Sequence, residues 1–165
     1  MTIPTPAIRP ARASEASELS ALALRSKASW GYDESFMRQC REELSCTAAE
    51  IVDERSIFMV AQRGATDLIA GFYALARLDA REWELDALFV EPELIGTGYG
   101  QALMVHAMRT AVRGGARRII VQSDPHAEPF YLSTGARRIG ERASGSVPGR
   151  MLPLLAIDLE SAMPG

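Results

Sequence analysis

The sequence predicts an α/β fold, a mixed sheet with helices on its faces. Three observations carry that expectation. Short apolar runs bounded by turn residues recur along the 165 residues, as strands do. Two longer stretches repeat their apolar residues with helical period. The longest helix lies between two apolar runs, which makes a strand–helix–strand crossover, expected to be right-handed.

The elements follow in order. Ala7-Ile8-Arg9-Pro10-Ala11 is a short strand that Pro10 confines to an edge or an end. Ser14 to Glu18 supply a capping hydroxyl and an acidic first turn for a helix whose inner face is Leu19, Leu22, Ala23 and Ser26. Ser29-Trp30-Gly31-Tyr32-Asp33 breaks it, and a second helix begins near Asp33 or Ser35 and runs through Phe36, Met37, Cys40 and Leu44. Ile57 to Ala61 and Leu68 to Ala76 read as an antiparallel hairpin across the turn Arg63 to Asp67. Trp83 to Val90 is a further strand, with Glu84, Asp86, Leu88 and Val90 on one face and Trp83, Leu85, Ala87 and Phe89 on the other.

The helix from Gly98 to Arg113 places Leu103, Met104, Ala107, Met108, Ala111 and Val112 inward. His106, Arg109, Thr110 and Arg113 face outward, so His106 is expected to be solvated. Gly114-Gly115 ends the helix. Ile119-Ile120-Val121 is apolar throughout, as a buried parallel strand is. A short helix over 126–133 ends at Gly135, and two strands, Arg137 to Glu141 and Met151 to Leu159, close the chain around the loop 143–150.

Composition narrows the class. Hydrophobic residues make up 47% and charged residues 24%, ordinary for a single globular domain spanning 1–165. A net charge of −3 gives no basic footprint for nucleic acid. No apolar run has membrane-span length, and Met1 to Pro6 lack the charged and apolar regions of a signal peptide. Cys40 and Cys46 form neither a disulfide framework nor a metal spacing, so two reduced thiols in the cytoplasm are expected. No constellation of metal ligands is present.

The chemistry concentrates in Leu88-Phe89-Val90-Glu91-Pro92-Glu93-Leu94-Ile95-Gly96-Thr97-Gly98-Tyr99-Gly100-Gln101. It reads as a strand end, a turn, three alternate glycines and a helix start. Glycines there let the backbone approach a ligand, and a helix N-terminus offers free N–H groups and a positive dipole end to a phosphate. A P-loop requires Lys after its last glycine, and Gln101 stands there instead. A dinucleotide fingerprint places its third glycine one residue later and an acid about 20 residues on, where this chain has Arg117-Arg118-Ile119-Ile120. A tight turn without a ligand is the remaining alternative.

The pattern Leu88-x-Val90-x-Pro92-Glu93-x-x-Gly96-x-Gly98-x-Gly100 resembles the acetyl-CoA-binding signature of the GNAT (Gcn5-related N-acetyltransferase) superfamily. A second block, Asp124-x-x-Ala127-x-x-Phe130-Tyr131-x-x-x-Gly135-Ala136, is similar to that family's second conserved segment. Two positions depart from the family pattern. Ile95 stands where Arg or Gln is usual, and Asp124 stands where Asn is usual.

The resemblance implies a mostly antiparallel sheet with a central parallel β-α-β unit and transfer of acetyl from acetyl-CoA to an amine by direct attack in a ternary complex. It implies CoA contacts at Leu88, Phe89, Val90, Ile95, Gly96, Thr97, Gly98, Tyr99, Gly100, Gln101, Asp124 and Phe130. Tyr131 stands where the family's tyrosine approaches the CoA sulfur, as acid for the thiolate. The strands flanking the crossover are expected to splay, leaving the N–H of Phe89 or Val90 for the oxyanion. Glu84 and Asp86 are candidates to take the proton of the amine, and the sequence does not choose between them. The family's acceptor pocket maps onto Trp30, Tyr32 and Arg150, for which a surface turn and an exposed loop arginine are the plainer readings. The family's habit of pairing makes a homodimer conceivable. A catalytically silent acyl-CoA-binding or sensing domain is the rival function, and another acyl donor the rival substrate.

Overall fold

A computed structural model of the chain describes residues 5–162. Residues 1–4, on which the reading of the N-terminus partly rests, lie outside the described residues. The elements are β1 (Ile8–Pro10), α1 (Ala16–Ala28), α2 (Glu34–Leu44), α3 (Ala48–Val52), β2 (Ser56–Gln62), β3 (Ile69–Arg77), β4 (Glu82–Val90), α4 (Tyr99–Arg113), β5 (Arg118–Gln122), α5 (Glu128–Ser133), β6 (Arg137–Ala143), β7 (Met151–Asp158) and α6 (Leu159–Ala162). The short α3 went unread in the sequence. Its five residues are too few to set a period, and Thr47 caps it by accepting from the Glu50 N–H.

The strands form one seven-stranded sheet in the order β1-β2-β3-β4-β5-β7-β6. Every pairing is antiparallel except β4 with β5, the two strands joined by α4. This is the expected mixed, mostly antiparallel sheet with its central parallel unit. Pro10 sits at the end of an edge strand, where its missing N–H costs no ladder bond.

Helices cover both faces. On one, α4 buries Leu103, Met104, Ala107, Met108 and Ala111 against Tyr73, Leu75, Trp83 and Leu85. Leu103 and Met104 are both fully buried, each contributing about 1.5–3 kcal/mol relative to exposure. On the other face, Leu19, Leu22 and Ala23 of α1 meet Ile51, Val60 and Phe72. The inner face expected for α1, Ser26 included, is the buried one. Its start differs from expectation. A 3₁₀ turn at Ala13–Glu15 leads into α1, and the Glu15 carboxylate rather than the Ser14 hydroxyl accepts the free N–H, that of Arg12, at 2.7 Å.

Two expectations for α4 are corrected. Val112 is 45% exposed and does not join the apolar face. His106 is not a solvated histidine: the Tyr73 hydroxyl meets its Nδ1 at 2.8 Å and the Thr110 hydroxyl at 3.0 Å. Tyr73 is fully buried, so its polar tip needs a partner, and α4 supplies two one turn apart.

The third correction bears on the site. The β3–β4 register steps from Ala74↔Ala87 to Leu75↔Leu85, which leaves Asp86 as the extra residue of a β-bulge. Alternation therefore changes phase at Asp86. Leu88 and Val90 join Trp83 and Leu85 on the α4 side, while Ala87 and Phe89 pack on the α1 side. The strict alternation expected for Trp83 to Val90 does not hold.

Candidate active site

Parallel pairing between β4 and β5 lasts three residues, Glu82↔Arg118 to Glu84↔Ile120. Beyond it the strands part, with the bulge at Asp86 two residues after the last pair. A cleft of about 710 Å³ opens there, lined by residues of β4 from Glu84 to Val90 and of β5 and its following loop from Val121 to Asp124.

At one end lies the glycine cradle. A 3₁₀ turn over Pro92–Leu94 leads to Gly96 (φ +84°) and Gly98 (φ +103°), left-handed conformations that glycine adopts without strain. Helix α4 starts at Tyr99, so the N–H groups of its first turn have no intrahelical partner. Ile95, Gly96, Gly98, Gly100 and Gln101 line the cleft. The Tyr99 hydroxyl accepts from the Gly64 N–H at 3.1 Å, which ties the β2–β3 turn to the cradle. Ile95 is 45% exposed beside it. The two sequence blocks meet at this point: a β-carbon at Gly100 would lie 3.5 Å from the Phe130 ring.

The bared edge of β4 has a defined polarity. The Glu91 N–H donates to Ala70 O at 2.8 Å. Antiparallel alternation then directs the Phe89 N–H to β3 and turns those of Leu88 and Val90 toward the gap. Tyr131, from α5, is buried in the wall of the same cleft. Burial, reinforced by the Asp124 charge, pushes its hydroxyl well above the usual tyrosine range, so it keeps its proton.

Glu84 and Asp86 sit at the mouth of the gap. Arg142 Nη1, reaching from β6, lies 3.0 Å from Glu84 Oε1. Asp86 stays open to the cleft, yet surrounding protein, the Glu84 charge and a hydrogen bond with the Glu84 carboxyl push its pKa up to about 7. Further round the cleft stand Glu43, Glu50, Cys46 and the rings of Phe58, Phe72 and Phe89.

Asp124 is a hub. Its carboxylate accepts from the Tyr32 hydroxyl at 2.8 Å and from the His126 backbone N–H at 2.8 Å. Lys27 Nζ lies 3.3 Å away and Arg150 Nη2 3.8 Å. Burial opposes its charge, but these donors outweigh burial and hold it below the usual carboxylate range. Arg150 also donates to the Tyr32 hydroxyl at 2.8 Å and lies over the Tyr32 and Phe36 rings. Trp30 stacks on His126 at 5.2 Å. The three residues assigned to an acceptor pocket are thus brought together with Asp124, but Tyr32 and Arg150 are committed to that network rather than presented as free groups.

The sequence missed Arg142, Lys27, Glu50, Phe58 and Phe72. Lys27 falls on a helix face that reads as solvated, and the two phenylalanines read as core. The strand read as Arg137 to Glu141 stopped one residue short of Arg142. Among the described residues no cluster of three or more His, Cys, Asp or Glu is placed to hold a metal ion. No helix there is long and apolar enough to cross a membrane.

Residues 15–145 match the family model described as an acetyltransferase (GNAT) domain. The chain is 34% identical over 98 residues to uncharacterised N-acetyltransferases of Mycobacterium bovis and Mycobacterium tuberculosis, a match covering 58% of this chain and 62% of each relative. The chain thus spans under two thirds of the length of those curated relatives. Among solved structures, it resembles the PaiA N-acetyltransferase of Thermoplasma acidophilum in complex with coenzyme A. There the TM-score is 0.75 at 21% identity, over 92% of this chain and 98% of that one. It also resembles an aminoglycoside 6'-N-acetyltransferase complexed with coenzyme A, with a TM-score of 0.70 at 18% identity, over 96% of this chain and 98% of that one. These structural likenesses show a shared fold.

Proposed function

The chain belongs to the GNAT acetyltransferase family, and from that premise we propose that it is a single-domain acyl-CoA-dependent N-acyltransferase moving acetyl from acetyl-CoA to an amine of a small molecule or protein. The observation that carries this reading is the continuity of the cleft from the glycine cradle, along the bared β4 edge, to the carboxylates. One sheet running through the described chain supports a single domain.

The residues fit a CoA thioester. The cradle has glycines where a backbone must come close, free helix N–H groups for a diphosphate, and a strand edge with outward N–H groups for an extended amide-bearing arm. Two of the solved relatives are themselves complexes with coenzyme A. When bound, acetyl-CoA supplies an activated acyl group.

The chain's own residues do the rest. The Glu84–Asp86 pair attracts the cationic amine and takes its first proton. The Val90 N–H, turned toward the gap, donates to the carbonyl oxygen as charge builds there. The new N–C bond forms and the C–S bond breaks, its electrons staying on sulfur. Tyr131 gives sulfur its proton and recovers one, through water, from the second proton the nitrogen loses. Asp124 and its partners brace the loops around the acceptor rather than touching the reacting atoms.

A silent CoA-binding domain is the second reading, favoured by exposed Ile95 in place of a polar cradle side chain and by the committed Asp124 carboxylate. Thermal denaturation with acetyl-CoA tests the shared core of both readings. The melting temperature rises with acetyl-CoA and stays put with NADH or ATP, since only a ligand of the folded state stabilises it. No rise with acetyl-CoA overturns the proposal.

A further inference from the structure

The Glu84 carboxylate receives a cation from an unexpected direction. In the sheet, β6 is separated from β4 by β5 and β7, yet Arg142 of β6 reaches Glu84 at 3.0 Å. Glu84 is the last β4 residue paired with β5. Arg142 is held in turn: the Gln122 side-chain amide donates to the carbonyls of Arg142 and Ala143 at 3.4 and 3.0 Å.

Among the described residues none forms a salt bridge with Asp86, which feels Arg142 only at a distance. Asp86 is the bulge residue, two positions from Glu84, and the nearby Glu84 carboxyl opposes its ionisation. The charged groups facing Asp86 are Glu84 on its own strand, Arg142 from β6 and Glu50 from α3, with Glu43 of α2 further round the cleft. Two adjacent carboxylates do not both ionise freely, and a cation bound to one of them decides which keeps the proton longer.

We infer that Arg142 is a positioning residue for proton removal: it occupies the Glu84 carboxylate and so leaves Asp86 as the group that accepts the acceptor's proton. Asp86 then takes the proton of the incoming ammonium while Glu84 stays paired with Arg142. This rests on the acyltransferase reading above.

Asp86, at the bulge, is open to the cleft, while Glu84 pairs with Arg142.

Carboxyl-carbon NMR titration tests this without requiring turnover. In the unaltered protein Asp86 titrates near neutrality. In Arg142→Gln the Asp86 titration moves upward by roughly one unit, in Arg142→Lys it returns, and in Glu84→Gln Asp86 falls toward the ordinary carboxylate range. In the double variant Arg142→Gln/Glu84→Gln the Arg142 effect shrinks to its direct charge effect on Asp86. The acidic limb of kcat/KM should follow the same shifts. Should Arg142→Gln fail to fold, Glu84→Gln and Arg142→Lys still decide. An Asp86 titration in the ordinary carboxylate range, or one unmoved in a folded Arg142→Gln, overturns the inference. Absence of turnover with any amine would sink the acyltransferase reading instead, leaving the titration result to stand alone.

Discussion

The Tyr32 hydroxyl donates to Asp124 Oδ2 at 2.8 Å and joins the loop after α1 to the loop after β5. With Arg150 donating to the same hydroxyl, the β6–β7 loop is tied in as well. Three loops that border the cleft are thus held by one carboxylate and its donors.

Asp124→Asn removes the charge that Lys27 and Arg150 share, and is expected to destabilise the fold by about 1–3 kcal/mol. Urea denaturation measures it. The sign with pH follows from the lowered carboxyl. Its stabilisation is present above the ordinary carboxylate range and is lost as pH falls from there through its lowered folded value. The gap between Asp124→Asn and the unaltered protein should therefore shrink in acid.

Tyr131→Phe keeps the ring that packs beside Phe130 and removes only the hydroxyl. Turnover should fall by about 10²-fold or more, the scale of a lost general acid. The dissociation constant for acetyl-CoA, read by calorimetry, should change little. An equal loss in binding and turnover would make Tyr131 a packing residue.

Asp86→Asn should lower kcat by about 10²–10⁴-fold and remove the acidic limb of the rate profile. Stability should move the other way. A carboxyl whose folded pKa is raised binds more protons in the native state, so the fold loses stability as pH rises between the ordinary carboxylate range and about 7. The variant should gain melting temperature over the unaltered protein, and more at about pH 8 than at about pH 5.

Gly71→Ala tests the backbone beneath the site. A β-carbon there would meet Phe89 O at 2.6 Å and Val90 Cα at 3.2 Å, both main-chain atoms that cannot swing away. Forcing β3 from β4 should cost about 1–3 kcal/mol and weaken acetyl-CoA binding through the displaced Val90 N–H.

Much of the frame is legible in the sequence. Period and glycine spacing located α4, the cradle and the crossover, because they depend on residues near in sequence. The β4 faces were misread because a bulge shows only in the pairing with β3: nothing within Glu84 to Val90 marks Asp86 as the extra residue. His106 was misread for a similar reason, its partner Tyr73 lying 33 positions away. Arg142 and the Asp124 hub depend on elements 58 and 92 residues apart in sequence, which only the closed sheet brings together. Tyr131, Trp30 and Arg150 line the cleft, while the commitment of Tyr32 and Arg150 to Asp124 has no signal in the sequence.

The most direct test of the central claim is release of free thiol from acetyl-CoA, followed with and without a panel of primary amines. Amine-dependent release that saturates with acceptor and disappears in Asp86→Asn is the result expected. Acetyl-CoA binding without thiol release for any amine would contradict the claim and leave a binding domain on an acetyltransferase fold.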